Sequence, residues 1–174
     1  KILPYLLVVL SLVFLAACGK PQEPKSGDSG DSSAAVPKAM ATPEGYRFVI
    51  EGNDRMQFDV NRFQVPAGVD LTLVLDNVGT MNKQAMGHNW VLITQETPTD
   101  IFAADASGAS QNEYIPENWM ESIIAYTAMT GGGEVVEVTF TVPEQTGDYD
   151  YLCTFPGHYY AGMKGVMEVV PVEE

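Results

Sequence analysis

The chain has 174 residues, 45% of them hydrophobic and 10% aromatic, enough for one domain with a real core plus appendages. Nine Lys+Arg stand against 23 Asp+Glu, and a net charge of −14 excludes nucleic acid, where affinity comes from cations neutralising phosphates. Two Cys and two His exclude a multinuclear metal cluster, a zinc ribbon and a disulfide framework.

Residues 2–17 (ILPYLLVVLSLVFLAA) form an apolar run behind Lys1. The run is shorter than the ~20 residues that span a bilayer comfortably. It ends in the small residues Ala16 and Ala17 and reads as a secretory signal. Leu15-Ala16-Ala17-Cys18 also matches a bacterial lipobox, in which cleavage precedes a cysteine that carries diacylglycerol. The expectation is a lipoprotein signal over 1–17 with Cys18 lipidated; an ordinary signal peptide or an uncleaved anchor is the alternative. Acyl chains contribute roughly 0.8 kcal/mol per buried CH₂, so two or three hold a protein stably.

Residues 19–44 contain Gly, Pro, Ser, Ala and mixed charges, with no aromatic residue. Such a composition cannot bury enough apolar surface to offset the entropy of ordering. We therefore expect a disordered linker from Cys18 to Glu44, with a reach of about 25–30 Å, and a folded domain over 45–174.

From Gly45 the pattern changes to period two. Strands are expected over Tyr46–Ile50, Arg55–Val60, Val69–Leu75, Trp90–Thr94, Ser122–Tyr126, Val135–Val142, Tyr149–Cys153 and Val166–Val170. Pro66-Ala67-Gly68, Gly131–Gly133 and Gly147-Asp148 are turn signals. Many short strands at such spacing indicate an all-β fold, a Greek-key sandwich. Thr97–Glu121 breaks the rule: Asp100–Ala106 reads as a helix capped by Thr99, on a flap inserted between strands. The domain, 45–174, holds 5 Lys+Arg and 19 Asp+Glu and so carries the whole net charge. That acidity can steer it toward a basic face on a partner.

The chemistry concentrates in Cys153-Thr-Phe-Pro-Gly-His158-Tyr-Tyr-Ala-Gly-Met163. A thiolate, an imidazole and a thioether recur every five residues around one strand-to-strand loop, where Pro156 and Gly157 favour a tight turn. Soft sulfur donors beside imidazole select copper over calcium or magnesium. The only other histidine, His88 in Met86-Gly87-His88-Asn89-Trp90, would complete a His₂Cys set with a weak axial Met. Singly, each residue has an ordinary role: Met163 as core filler, Cys153 as an inert buried thiol, each His as a hydrogen-bonded structural residue. Jointly they supply one type 1 copper site.

These motifs resemble those of the cupredoxins, within them azurin and, more closely, auracyanin. Gly87-His88-Asn89-Trp90 and Cys153-Thr154-Phe155-Pro156-Gly157-His158 are very similar to azurin's two copper motifs. Four residues separate His158 from Met163, the auracyanin spacing, where azurin has three. Plastocyanin fits worse, with only two residues between its Cys and His. The resemblance extends over most of 46–170. One departure from azurin is the lack of an intradomain disulfide, because Cys153 is the domain's only Cys.

The resemblance implies a trigonal plane of His88, Cys153 and His158 with Met163 axial. It adds a long contact from the Gly87 carbonyl, which the longer final interval disfavours. Asn89 and Thr154 would brace the loop and tune the thiolate, with a simple turn cap as the alternative for Asn89. Electrons would leave through an exposed edge of His158, ringed by Met86, Phe155, Pro156, Tyr159, Tyr160, Ala161 and Gly162. Tyr159 and Tyr160 either join that face or pack beneath the loop. The implied protein is a monomeric electron carrier without enzymatic turnover, lipid-anchored at the extracytoplasmic (periplasmic) face of the cell membrane. Its partners would be a quinol-oxidising membrane complex and a c-type cytochrome of a photosynthetic chain. An azurin-like donor to a periplasmic respiratory enzyme is the alternative. A copper enzyme needs more histidines than the chain holds, and copper storage usually needs more Met or His.

Overall fold

The computed structural model describes residues 35–172. The signal over 1–17, Cys18 and the linker up to residue 34 lie outside the described residues. Two five-stranded sheets face each other. The first is built from β1 (Met40–Thr42), β2 (Gly45–Asn53), β5 (Asp70–Asn77) and β8 (Val135–Thr141), with β3 (Gln57–Phe58) paired to β2. The second runs in the order β4 (Arg62–Pro66), β10 (Lys164–Val170), β9 (Gly147–Leu152), β6 (Val91–Ile93) and β7 (Ile123–Tyr126). The β2–β5 and β4–β10 pairs are parallel and the others antiparallel. This is the expected sandwich.

Alternation explains which side of each strand is buried. On β8 the even-numbered Val136, Val138 and Phe140 turn toward the core, while Val135, Glu137 and Thr139 are exposed. Between the sheets lie Phe48, Ile50, Phe63, Leu71, Leu73, Leu75, Trp90, Leu92 and Tyr151, with Phe48 stacked on Phe63 at 4.0 Å. The β6 run Val-Leu-Ile is buried on both faces for a separate reason. Leu92 points into the sandwich, whereas Val91 and Ile93 meet Phe102, Ala103 and Ala106 of helix α2 (Thr99–Gly108) on the sheet's outer side.

Three expectations are corrected. Arg55–Val60 is a turn followed by the two-residue β3, because Met56 takes a left-handed backbone (φ 57°) and the chain reverses there. The strand belongs instead to Arg62–Pro66, where Phe63 and Val65 are buried and Arg62 is held by Glu168 on the adjacent β10 and by Asp148 on β9 beyond it. Thr99 does not cap α2; its hydroxyl donates to the Asp150 carboxylate on β9, and Pro98 precedes the helix without a side-chain cap. Order also starts upstream of Gly45, where a linker is expected: β1 pairs with β2, and the Ala39 N–H donates to Gln64 at 2.8 Å. Among the described residues no helix is long and apolar enough to cross a membrane.

Candidate metal centre

One end of the sandwich gathers the donors. Cys153 follows β9 directly and Met163 directly precedes β10, and the Cys153 N–H donates to the Met163 carbonyl at 3.1 Å, so the strand pair clamps both ends of the loop. Within the loop the His158 N–H donates to Phe155 and the Met163 N–H to His158, at 3.1 and 3.0 Å. His88 arrives from the other side, after the four-residue helix α1 (Lys83–Met86), and exchanges backbone hydrogen bonds with Thr130 at 2.7 and 3.0 Å. Two stretches remote in sequence are thereby fixed face to face.

The donor atoms form a small triangle. Cys153 Sγ lies 3.5 Å from His158 Nδ1 and 4.0 Å from His88 Nδ1, and the two Nδ1 atoms are 3.2 Å apart. All four candidate ligands are buried, His158 with 2% of its surface exposed and the others with none. The His88 Nε2–H donates to the Asn53 carbonyl at 3.0 Å, which leaves the Nδ1 lone pair directed inward. Burial, and His88 as a neighbour, push His158 down to about 4, and burial also lowers His88, so both rings are neutral donors near pH 7. Burial pushes the Cys153 thiol up to about 12 despite amide hydrogen bonds from Asn89 and Phe155. A bound cation reverses that, since a coordinating thiol is deprotonated outright. Two imidazole Nδ1 atoms and one thiol at this spacing fit a soft metal ion.

Asn89 links the two stretches. Its Nδ2–H donates to Thr154 Oγ1 at 2.8 Å and its Oδ1 accepts from the Thr154 N–H at 2.9 Å, both residues being buried. These two bonds tie the His88 segment to the loop that follows Cys153. The Gly87 carbonyl oxygen lies 3.9 Å from Cys153 Sγ and so faces the donors.

The outer face departs from expectation in one respect. The His158 edge is thin, because its ring lies beneath the surface with Phe155 at 4.7 Å. Pro156, Tyr160, Ala161 and Gly162 are exposed around it, with Met86 and Phe155 half-buried. Tyr159 leans onto the α2 cluster under Lys164, whose Nζ sits 4.4 Å above its ring. Tyr160 is 63% exposed, and its hydroxyl donates to the Asp100 carbonyl at 3.4 Å.

Residues 46–170 match the family of copper-binding proteins of the plastocyanin/azurin type. The chain is a cupredoxin. It is 39% identical to Azurin-1 of Alcaligenes xylosoxydans xylosoxydans over 124 residues, 70% of this chain and 95% of that one. It is 33% identical to outer membrane protein H.8 of Neisseria gonorrhoeae, over 87% of this chain and 90% of that one. Among solved structures it resembles auracyanin from the photosynthetic bacterium Roseiflexus castenholzii, with TM-score 0.60 and 34% identity over 72% of this chain and 97% of that one. This cupredoxin's cofactor is copper, and His88, Cys153 and His158 with Met163 are arranged as a type 1 site.

Three contributors to the centre carry no ligand signature in the sequence. The Asn53 carbonyl, Thr130 and Gly52 join it only through folding. A Cβ on Gly52 would stand 3.1 Å from Met163 Cε and 3.2 Å from His88 Cδ2, so glycine here leaves room for two ligand side chains. Gly52→Ala is expected to shift the visible spectrum and the reduction potential of the copper-loaded protein. Metal-free stability should fall by no more than about 1–3 kcal/mol, the usual cost of overpacking. Visible spectra and urea unfolding of the same samples check both.

Proposed function

We propose that this cupredoxin is a membrane-tethered one-electron carrier, lipidated at Cys18. It would work as a monomer on the extracytoplasmic (periplasmic) face, between a quinol-oxidising membrane complex and a c-type cytochrome of a photosynthetic chain. The electron-carrier part is the family's function, and cupredoxins act with redox protein partners. The single observation that carries the reading is the triangle of His88, Cys153 and His158 closed by two hydrogen-bonded segments. Copper, when bound, supplies a one-electron Cu(I)/Cu(II) couple.

The chain's own residues do the rest. Asn53 and Thr130 hold the His88 ring and backbone, and Asn89 and Thr154 hold the loop, so the donors move little as charge changes. Met163 would help hold the copper as a weak thioether donor beside His88, Cys153 and His158, with the Gly87 carbonyl facing the same donors. Phe155, Pro156, Met86 and Tyr160 form the uncharged rim for close, short-lived approach, with Tyr159 packed behind it under Lys164. Support for the tether is the Leu15-Ala16-Ala17-Cys18 run and an alignment with an outer membrane protein over 87% of this chain. Support for the photosynthetic setting is the auracyanin spacing and the likeness to a photosynthetic bacterium's auracyanin. The identity to azurin favours a second reading, an electron donor to a periplasmic respiratory enzyme.

Absorption-monitored redox titration of the copper-loaded protein tests the carrier. An intense visible band that bleaches and returns is expected; a colourless protein, or copper lost at each cycle, overturns it. Met163→Leu should keep the colour and raise the potential, because a donor that favours Cu(II) is lost. An unchanged potential would show that Met163 is not axial. For the tether, Cys18→Ala should move the coloured protein from the membrane pellet to the supernatant. If it stays in the pellet, the apolar run itself is the anchor.

A further inference from the structure

The flap approaches the metal centre through one kink. Glu113 and Tyr114 are consecutive non-glycine residues in the left-handed region, with φ of 51° and 65°. Such backbone costs free energy and persists only where its surroundings impose it, and it concentrates at functional sites. Here it aims two adjacent side chains at both ligand-bearing stretches, across a cleft of about 240 Å³ that they line with Lys83, Met129 and Phe155.

The Glu113 carboxylate makes two contacts. Oε1 accepts from Lys83 Nζ at 2.9 Å and Oε2 from the Met129 N–H at 3.3 Å. Both contacted residues abut the His88 segment. A Cβ on Gly87 would come within 2.6 Å of the Lys83 carbonyl and 2.9 Å of Met129 Sδ, so the backbone just before His88 is wedged between them. Thr130, next after Met129, holds the His88 backbone by three hydrogen bonds. The Tyr114 ring meets Phe155 edge-on at 5.3 Å, and Phe155 covers the His158 ring at 4.7 Å.

We infer that the Glu113–Tyr114 kink is a latch by which the flap fixes the spacing of the His88 and His158 segments, making both positioning residues for the copper donors. The latch deepens the copper reading and rests on it. The ion pair is half-exposed, with side chains 41% and 52% accessible, so it adds little to global stability. Its effect is local geometry, held at the expense of left-handed backbone that glycine would adopt without strain.

That combination yields a test that separates positioning from bulk stability. Glu113→Gly and Tyr114→Gly each delete one half of the latch while relaxing the strained backbone. In the metal-free protein, unfolding midpoints should stay at the parental value or rise, while the Met129 and Thr130 amides of Glu113→Gly exchange hydrogen at least tenfold faster. In the copper-loaded protein, removal of metal by a chelator should accelerate at least fivefold in both variants. Glu113→Gln keeps an oxygen for the Met129 N–H and should fall between the parent and Glu113→Gly. Parental exchange and release in both glycine variants would overturn the latch. So would a loss of global stability that tracks the faster release, which marks an ordinary packing role. Should a glycine variant fail to fold, Glu113→Ala, which also removes the oxygen that accepts the Met129 N–H, decides, and parental exchange at Met129 together with parental copper release in it overturns the proposal. The exchange measurement is made without metal, so failure of the copper reading leaves its outcome legible.

Discussion

Cys153→Ser should yield a folded protein that has lost the intense visible band altogether, the largest change expected from any single substitution at the site. Cys153 is the only cysteine among the described residues, and its Sγ is the sole soft anion available to the metal. A serine hydroxyl at this position is smaller, harder and far less acidic, and the surrounding burial opposes its ionisation as it opposes that of the thiol. Two imidazoles and a thioether would remain, a set that still holds copper but without thiolate-to-metal charge transfer. The fold should survive, since the Cys153 N–H bond to the Met163 carbonyl and the Asn89–Thr154 bridge are independent of the sulfur. Visible absorbance, copper content and far-UV circular dichroism of the purified variant check the three parts together. A retained band would assign the colour to another donor and dissolve the type 1 assignment.

The site was more legible in the sequence than the sheet edges, for a physical reason. Cys153, His158 and Met163 share one eleven-residue loop, so their spacing survives in the linear chain, and His88 is recognisable because no other histidine competes with it. The partners that orient them are not local. Asn53 lies 35 residues from His88 and acts through a carbonyl every residue possesses, and Thr130 acts mainly through its backbone. Gly52 works by lacking a side chain. None of these leaves a residue-type signature.

Sheet edges failed for related reasons. Arg62–Pro66 alternates correctly, with Phe63 and Val65 inward, but ends in proline and pairs in parallel with Lys164–Val170, about a hundred residues away. Parallel partners give no turn signal to mark them. Met40–Thr42 is a three-residue edge strand whose composition matches a linker, and its register against Arg47, Tyr46 and Gly45 is what orders it. Thr99 sat at a good capping position, yet a carboxylate on β9 within reach of its hydroxyl outcompeted the helix end.

Trp90→Ala should destabilise the metal-free domain by about 3–5 kcal/mol, the largest loss expected from a core substitution. Trp90 is wholly buried between the sheets, with Tyr151 and Phe140 ring centroids at 5.7 and 6.0 Å. Rigid strands on both sides limit collapse into the gap, which puts the cost near the top of the range for aromatic truncation. Its indole Nε1–H has no hydrogen-bond partner among the described residues, so the native side chain already carries a desolvation cost. Trp90→Phe removes that orphan donor while keeping most of the ring, and should lose about 2 kcal/mol or less. The backbone of Trp90 stays tied to Thr127 in both variants, by its N–H to Oγ1 and its carbonyl to the N–H, each at 3.0 Å. His88 and Asn89, immediately before it, should therefore keep their positions and the copper-loaded variants their colour. Urea unfolding of the metal-free proteins followed by far-UV circular dichroism, with visible spectra of the loaded ones, measures both quantities. A Trp90→Ala loss below about 1 kcal/mol would mean that the sheets close over the gap. A bleached spectrum with intact folding would mean instead that the core ring, and not the Asn89–Thr154 bridge, sets the donor geometry.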